Sequence, residues 1–140
     1  YVSSRQGLGD GFLFTDLARA LLEDEEFVTN HLDIRRDFAT DLDLASLIEC
    51  LLKAKGNAKL DLFTAEPTSK LHLILTLERE FGLRVRWEEV LDIATPTGHK
   101  SQYLPRSTTA QEFGYVPRSA SLHNVLEKLK EMGVTPKSFQ

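Results

Sequence analysis

One cysteine, one methionine and one tryptophan stand among 140 residues, and these scarcities bound the chemistry early. A lone Cys50 closes no internal disulfide. With no disulfide framework and no secretion signal, a reducing cytoplasm is the expected compartment. No apolar run approaches the ~20 residues that cross a bilayer, so no membrane is expected. An excess of positive charge is also lacking. A net charge of -4 argues against a nucleic-acid ligand, because that affinity rests on cations meeting phosphates. Clusters of metal ligands are missing as well. His31, His72, His99 and His123 are scattered, and none pairs with another His, a Cys or a carboxylate at a metal-binding spacing. The start, Tyr1-Val2-Ser3-Ser4-Arg5, has neither an initiator Met nor a charged segment leading into an apolar one. The expectation is a piece cut from a longer chain, without a signal peptide. There is no internal repeat and no low-complexity segment.

What is present is the composition of one soluble globular domain. Of the residues, 41% are apolar and 27% charged, and the length suffices for a real core. Apolar residues Leu13, Leu17, Ala20 and Leu21 recur at helical spacing and predict a helix over 12–23. Phe27-Val28-Thr29 and the segment 34–40 read as short strands around Asn30-His31-Leu32-Asp33, an arrangement that allows a hairpin. A helix over 41–55 follows, capped by Thr40 or Asp41, with Leu44, Leu47, Ile48, Leu51 and Leu52 as its expected buried stripe. Residues 60–64 read as a strand. Ser69 to Phe81 reads as a helix with Leu71, Ile74, Leu75, Leu77 and Phe81 on its buried face, ended by Gly82. Those two helices are expected to share the strand 60–64 between them. Leu83 to Glu88 alternates and reads as a strand. A helical turn over 108–113 and a last helix over 122–132 complete the pattern, with Leu122, Val125, Leu126 and Leu129 facing inward. Helices alternating with few, short strands give an α/β class, and a partial domain more than a complete doubly wound sheet.

Most candidate chemistry reduces to structure. Gly7 and Gly9 form a G-x-G, but no strand of length precedes it and the third fingerprint glycine is absent, so it reads as a turn. Cys50 sits beside the apolar stripe of its helix, as a packed residue does. The carboxylates of 23–26 and 88–89 read as solvated charge. Arg84 and Arg86 share one strand face. Arg35 and Arg36 stand apart because they end a strand that runs directly into a helix opened by acids. An arginine at a helix N-terminus makes a resting place for phosphate.

The segment Arg35-Arg36-Asp37-Phe38 through Asp43-Leu44-Ala45 resembles the "R-R-D-F-V-x-V-x-D-L-A" signature of the extended short-chain dehydrogenase/reductases, the NAD-dependent epimerase/dehydratase family. Three further segments follow the family's order. Ser4 to Gly9 falls on "N-V-Y-G-P-G". Residues 60–69 are similar to "Y-N-V-G-S-G-E-P-x-S". Glu112-Phe113-Gly114-Tyr115-Val116-Pro117 with Ser121-Leu122 is similar to "E-L-G-Y-x-P-x-x-S-L". The resemblance covers nearly the whole chain.

It implies a partial Rossmann-type unit, its last strand and helices, joined to the small mixed α/β substrate-binding domain. Residues 1–140 would form a single C-terminal fragment whose cofactor-binding N-terminal part is absent. The family's catalytic Tyr-x-x-x-Lys pair has no counterpart here, since Tyr1 is followed four residues later by Arg5, so no catalytic residue is expected. NAD or NADP would serve the full-length enzyme, and no cofactor is expected on the fragment. The resemblance places the diphosphate-binding arginine at Arg36, with Phe38 beside it. Gly11 and Phe12 fall where the family approaches the sugar nucleotide. The second diphosphate clamp, an "R-P-G-D"-like turn, falls near Pro96-Thr97-Gly98-His99 without its Arg and Asp, and Lys100 is the cation that could replace them. The implied function is the nucleotide-sugar-binding portion of an epimerase, dehydratase or reductase, inactive alone and homodimeric in full-length form. The alternative is a non-enzymatic α/β protein-interaction module.

Overall fold

The computed structural model describes residue 2 and residues 12–54, 57–89 and 101–137. Among them helices alternate with short strands, as the sequence predicts. Helix α1, Leu13–Leu22, is followed at once by strand β1, Glu26–Asn30. Strand β2, Arg35–Arg36, leads into helix α2, Asp41–Lys53. Strand β3, Thr68–Ser69, leads into helix α3, Lys70–Phe81, which is followed by strand β4, Arg84–Glu88. Strand β5, Gln102–Tyr103, a 3-10 turn over Thr109–Phe113 and helix α4, Ser121–Glu131, close the order.

Local sequence explains where these elements begin and end. Thr40 opens α2 with a reciprocal cap. Its hydroxyl accepts from the Asp43 N–H at 3.3 Å, and the Asp43 carboxylate accepts from the Thr40 N–H at 2.8 Å. Two orphan donors of the first turn are thereby satisfied. Ser69 caps α3 by accepting from the His72 N–H at 3.1 Å. Gly82 ends α3 at φ 78° and Gly114 ends the 3-10 turn at φ 85°, both in the left-handed region where a side chain would be strained.

The strands pair differently from a hairpin. β1 and β4 run parallel, with Phe27 opposite Val85 and Thr29 opposite Trp87. Each is fed by the helix before it, so α1–β1 and α3–β4 are two like units lying side by side. β2 is the middle of a second sheet. It pairs antiparallel with β3 and parallel with β5. The hairpin reading for β1 and 34–40 is therefore corrected: β1 pairs with β4 and β2 with β3 and β5, all far along the chain. Beyond β2, the segment 37–40 holds only one isolated parallel bridge, Val2 to Thr40.

Two apolar cores result. The larger joins Phe14, Leu17 and Ala18 of α1, Leu73, Ile74 and Leu77 of α3, and Val125 and Leu129 of α4, with Phe27 and Phe38. The smaller joins Leu47 of α2 to Phe63, Ala110 and Tyr115, whose rings of residues 63 and 115 meet edge to face at 5.3 Å.

Three packing expectations are corrected by this division. Residues 60–64 pair in no ladder, and α2 and α3 do not share them: α3 lies in the larger core while α2 packs on Phe63 in the smaller. On α3, Leu71 and Leu75 face outward, and Lys70, Leu73 and Thr76 take the inner positions. On α2 only Asp43 and Leu47 are buried, whereas Leu44, Ile48 and Leu52 are exposed. Apolar identity marks a wider sector than the neighbours cover.

Candidate functional site

Arg36 sits in the central strand of the three-stranded sheet, half-buried, while Arg35 is exposed. The alternation of a strand sends the two guanidiniums to opposite faces. Arg36 stands opposite Tyr103 in the parallel pair with β5. Its guanidinium carbon lies 5.0 Å from the centroid of the Tyr103 ring. That geometry suits a cation over an aromatic face. The Arg36 Nε is buried and meets no hydrogen-bond partner among the described residues. A buried N–H left without an acceptor is costly.

A cavity of about 360 Å³ opens beside it. Its walls are Phe12, Leu13, Phe14 and Phe38, with Val2, and Arg36 and Tyr103 supply its polar side together with Asp37. Phe12 precedes the first turn of α1 in extended backbone, with no side-chain cap on that turn. Phe12 is 63% exposed at the cavity's edge.

Lys70 reinforces the local potential. Burial holds its ammonium below the usual lysine range, and the nearby Arg36 pushes the same way against the opposing pull of Asp33. The ammonium donates to the Asn30 carbonyl at 2.7 Å and to Asn30 Oδ1 at 2.9 Å, which ties the end of β1 to the start of α3. Thr68, directly across the ladder from Arg36, also carries a buried hydroxyl without a partner among the described residues.

Asp37 does not present its charge to the cavity as a free acid. Its carboxylate accepts from the Thr64 N–H at 3.1 Å, from the Thr64 hydroxyl and from the Ser121 hydroxyl at 2.8 Å. The Phe38 N–H donates to Ser121 Oγ at 2.8 Å, and Asn124 Nδ2 donates to the Phe38 carbonyl at 2.9 Å. The backbone on both sides of the Phe38 ring is thus held by α4. This lattice fixes the strand-to-helix junction so that Arg36 and Phe38 keep their aim.

Three of the residues expected at a site, Arg36, Phe38 and Phe12, meet on this one cavity. Gly11 and Lys100 lie outside the described residues. Sequence reasoning missed Tyr103 as a wall of the site and Asp37 as its anchor. The only trace of Tyr103 was its place after the Pro96-to-His99 turn, and the β2–β5 pairing that brings it to Arg36 is not written in local pattern. Among the described residues no three His, Cys, Asp or Glu side chains gather as a metal site, and no helix is long and apolar enough to cross a membrane.

The site is thus an apolar cavity with a guanidinium and an aromatic ring on its polar side. Over 87% of its length this chain superposes on a UDP-glucuronic acid 4-epimerase from Bacillus cereus, solved with UDP-glucuronic acid and NAD, at a TM-score of 0.68 and 18% identity. It superposes likewise on that enzyme with NAD alone, over 86% of this chain, at a TM-score of 0.63 and 21% identity. The chain has the partial Rossmann-like α/β fold of these epimerases. It spans only 40% and 37% of their respective lengths. No protein-family model and no curated protein matches the chain.

Proposed function

We propose that this chain is the C-terminal, nucleotide-sugar-binding portion of an NAD(P)-dependent epimerase, dehydratase or reductase, and that it is inactive alone. The observation that carries the proposal is Arg36. A guanidinium held over an aromatic ring lines an apolar cavity, and its buried Nε has no acceptor among the described residues. A nucleoside diphosphate brings about two negative charges to such a place, and a planar guanidinium meets phosphate oxygens two at a time. Phe12, Phe14 and Phe38 offer flat apolar walls to the remainder of the ligand. The superposable epimerase is one that binds UDP-glucuronic acid, which supports a nucleoside diphosphate sugar as the class.

No described glycine makes a dinucleotide cradle, and the Gly7-to-Gly11 turn lies outside the described residues. Gly82, Gly114 and Gly133 all follow helices or helical turns at positive φ, and none opens a helix after a strand as a pyrophosphate cradle does. We assign the redox cofactor to the larger part of the superposable epimerase fold, outside the 40% that this chain spans. The chain's own share of the chemistry is positioning: it holds the sugar nucleotide so that the reacting carbon faces a cofactor carried elsewhere.

The test is calorimetric or NMR titration of the chain with UDP-glucuronic acid, UDP and NADPH. The first two bind weakly and the third not at micromolar concentration. In the complete enzyme Arg36→Ala weakens UDP-sugar binding by about 1.5–3 kcal/mol, the range for a hydrogen bond to a charged group. Arg35→Ala has little effect. Equal effects from both arginines would refute the site.

A further inference from the structure

His72 and His123 are far apart in sequence, and the fold brings them to one cavity of about 210 Å³. Pro67, Ala120 and Leu122 give this cavity apolar walls, and Glu66 and Thr68 complete its lining. It shares no described wall residue with the Arg36 cavity. It lies where β3 runs into α3 and where α4 begins. The Ser121 N–H donates to the Glu66 carbonyl at 2.8 Å, which holds the start of α4 against the segment before β3.

The two helices begin differently. At α3 the first amides are taken: Lys70 donates to the Ile34 carbonyl at 2.9 Å, Leu71 to Asp33 at 2.9 Å and His72 to Ser69 at 3.1 Å. At α4 the N-cap is Ala120, which offers no side-chain acceptor. The Leu122 and His123 amides meet no acceptor among the described residues, and both residues line the cavity. Free N–H groups in a first helical turn carry partial positive charge. A second observation is independent of the helix. Thr68 is 4% exposed and lines the same cavity, and its hydroxyl has no partner among the described residues. The two imidazoles are exposed and gain charge as pH falls through the range near neutrality. The acids around them are Glu66, which is exposed to water, and Glu127, one turn along α4 from His123. Arg118 flanks His123 in the neighbouring groove.

We propose that this cavity binds a small phosphate monoester. The phosphate oxygens accept from the free amides of the first turn of α4 and from the Thr68 hydroxyl, and the two imidazoles supply charge. N–H and O–H donors at a helix start are the set that suits a phosphate group. Pro67 and Leu122 receive the carbon end of the ester, which distinguishes it from the free ion. The site stands apart from the nucleotide-sugar reading, since none of its residues lines the Arg36 cavity.

Titration of the chain with phenyl phosphate, followed by its amide and imidazole NMR signals, tests the site. The Leu122 and His123 amides and both imidazoles are expected to shift together and to saturate. Binding is expected to be at least about threefold tighter at pH 6.5 than at pH 8, as the imidazoles gain charge. Thr68→Val and His123→Gln should each weaken it about threefold or more. His123 is exposed, so its variant keeps the fold and the test stands even where Thr68→Val does not fold. Inorganic phosphate should bind about fivefold more weakly, because it leaves the apolar walls uncovered. Equal binding of inorganic phosphate overturns the ester assignment. Shifts confined to the Arg36 and Tyr103 side, no shift at millimolar phenyl phosphate, or undiminished binding by His123→Gln overturns the site.

Discussion

The hydroxyl of Ser121, at the start of α4, donates to the carboxylate of Asp37 at 2.8 Å across 84 residues of sequence. This bond and the two from Thr64 close a buried lattice under the candidate site. The acid of the R-R-D-F segment therefore works as a joint. It binds the end of β2 to α4 and to the Thr64 segment, and it leaves Arg36 as the charged group facing the cavity.

Asp37→Asn tests that joint. The amide keeps the shape but loses the charge, and its NH2 in place of Oδ2 meets the Thr64 N–H donor to donor. Hydrogen bonds to charged groups contribute about 1.5–3 kcal/mol, so a loss in that range is expected in urea unfolding. Ser121→Ala removes one donor to Asp37 and the acceptor for the Phe38 N–H, and should cost about 1–3 kcal/mol. A loss below ~0.5 kcal/mol for both would show that the lattice holds nothing together.

Much of the chain was legible because helices announce themselves locally. The cap at Thr40, the cap at Ser69 and the stop at Gly82 all stand where spacing and residue type put them. The arginine pair was legible for the same reason: alternation alone says that one of two adjacent strand residues turns inward. The pairing of strands was not legible. β2 has two residues, and its partners are chosen by Lys70 and Ser101 backbone contacts distant in sequence. Register between such short strands is set by the packing of the helices they serve. The true faces of α2 and α3 were hidden for a related reason. A helix rich in leucine has several equivalent stripes, and only its neighbours decide which one is covered. Tyr103 became part of the site through the same long-range pairing.

The division of α2 into two stripes makes a sharp comparison between adjacent residues. Leu47 is 5% exposed in the smaller core and Ile48 is 46% exposed. In the isolated chain Leu47→Ala should cost about 2–5 kcal/mol, the range for a buried leucine. Ile48→Ser should change stability by no more than ~0.5 kcal/mol, as a surface substitution does. Thermal or urea melts of the two variants decide it, and similar losses in both would mean that the helix is rotated from its assigned face.

Tyr115 gives the chain an alkaline limit. Burial pushes its phenol up to about 12, with the carboxylates of Asp43 and Asp37 and the Cys50 thiol acting in the same direction. Its hydroxyl donates to the Phe63 carbonyl at 2.7 Å. In the unfolded chain the phenol ionises near 10. The folded pKa is the higher one, so this contribution is fully present below about pH 10 and is lost as pH rises toward 12. Tyr115→Phe should be less stable at pH 8 by about 1–3 kcal/mol, because the carbonyl loses its donor. The variant should also lose less stability than the parent between pH 10 and 12. Parallel pH profiles for the two would show that the phenol titrates freely.

Tyr103 supplies the test of how Arg36 is held. The ring lies under the guanidinium, and contacts of this kind contribute about 0.5–1 kcal/mol when partly exposed. Removing the ring frees the guanidinium to turn away from the cavity, so binding pays for aiming it again. Tyr103→Ala is therefore expected to weaken UDP-glucuronic acid binding roughly two- to fivefold, the equivalent of that energy. Tyr103→Phe keeps the ring and should bind within about twofold of the parent, since the cation meets the face and not the hydroxyl. In an Arg36→Ala background Tyr103→Ala should add little, because the ring then has no cation to hold. Titrations of the single and double variants measure the coupling directly. An undiminished effect of Tyr103→Ala without Arg36 would mean that the ring touches the ligand itself, and that Arg36 is aimed by the sheet alone.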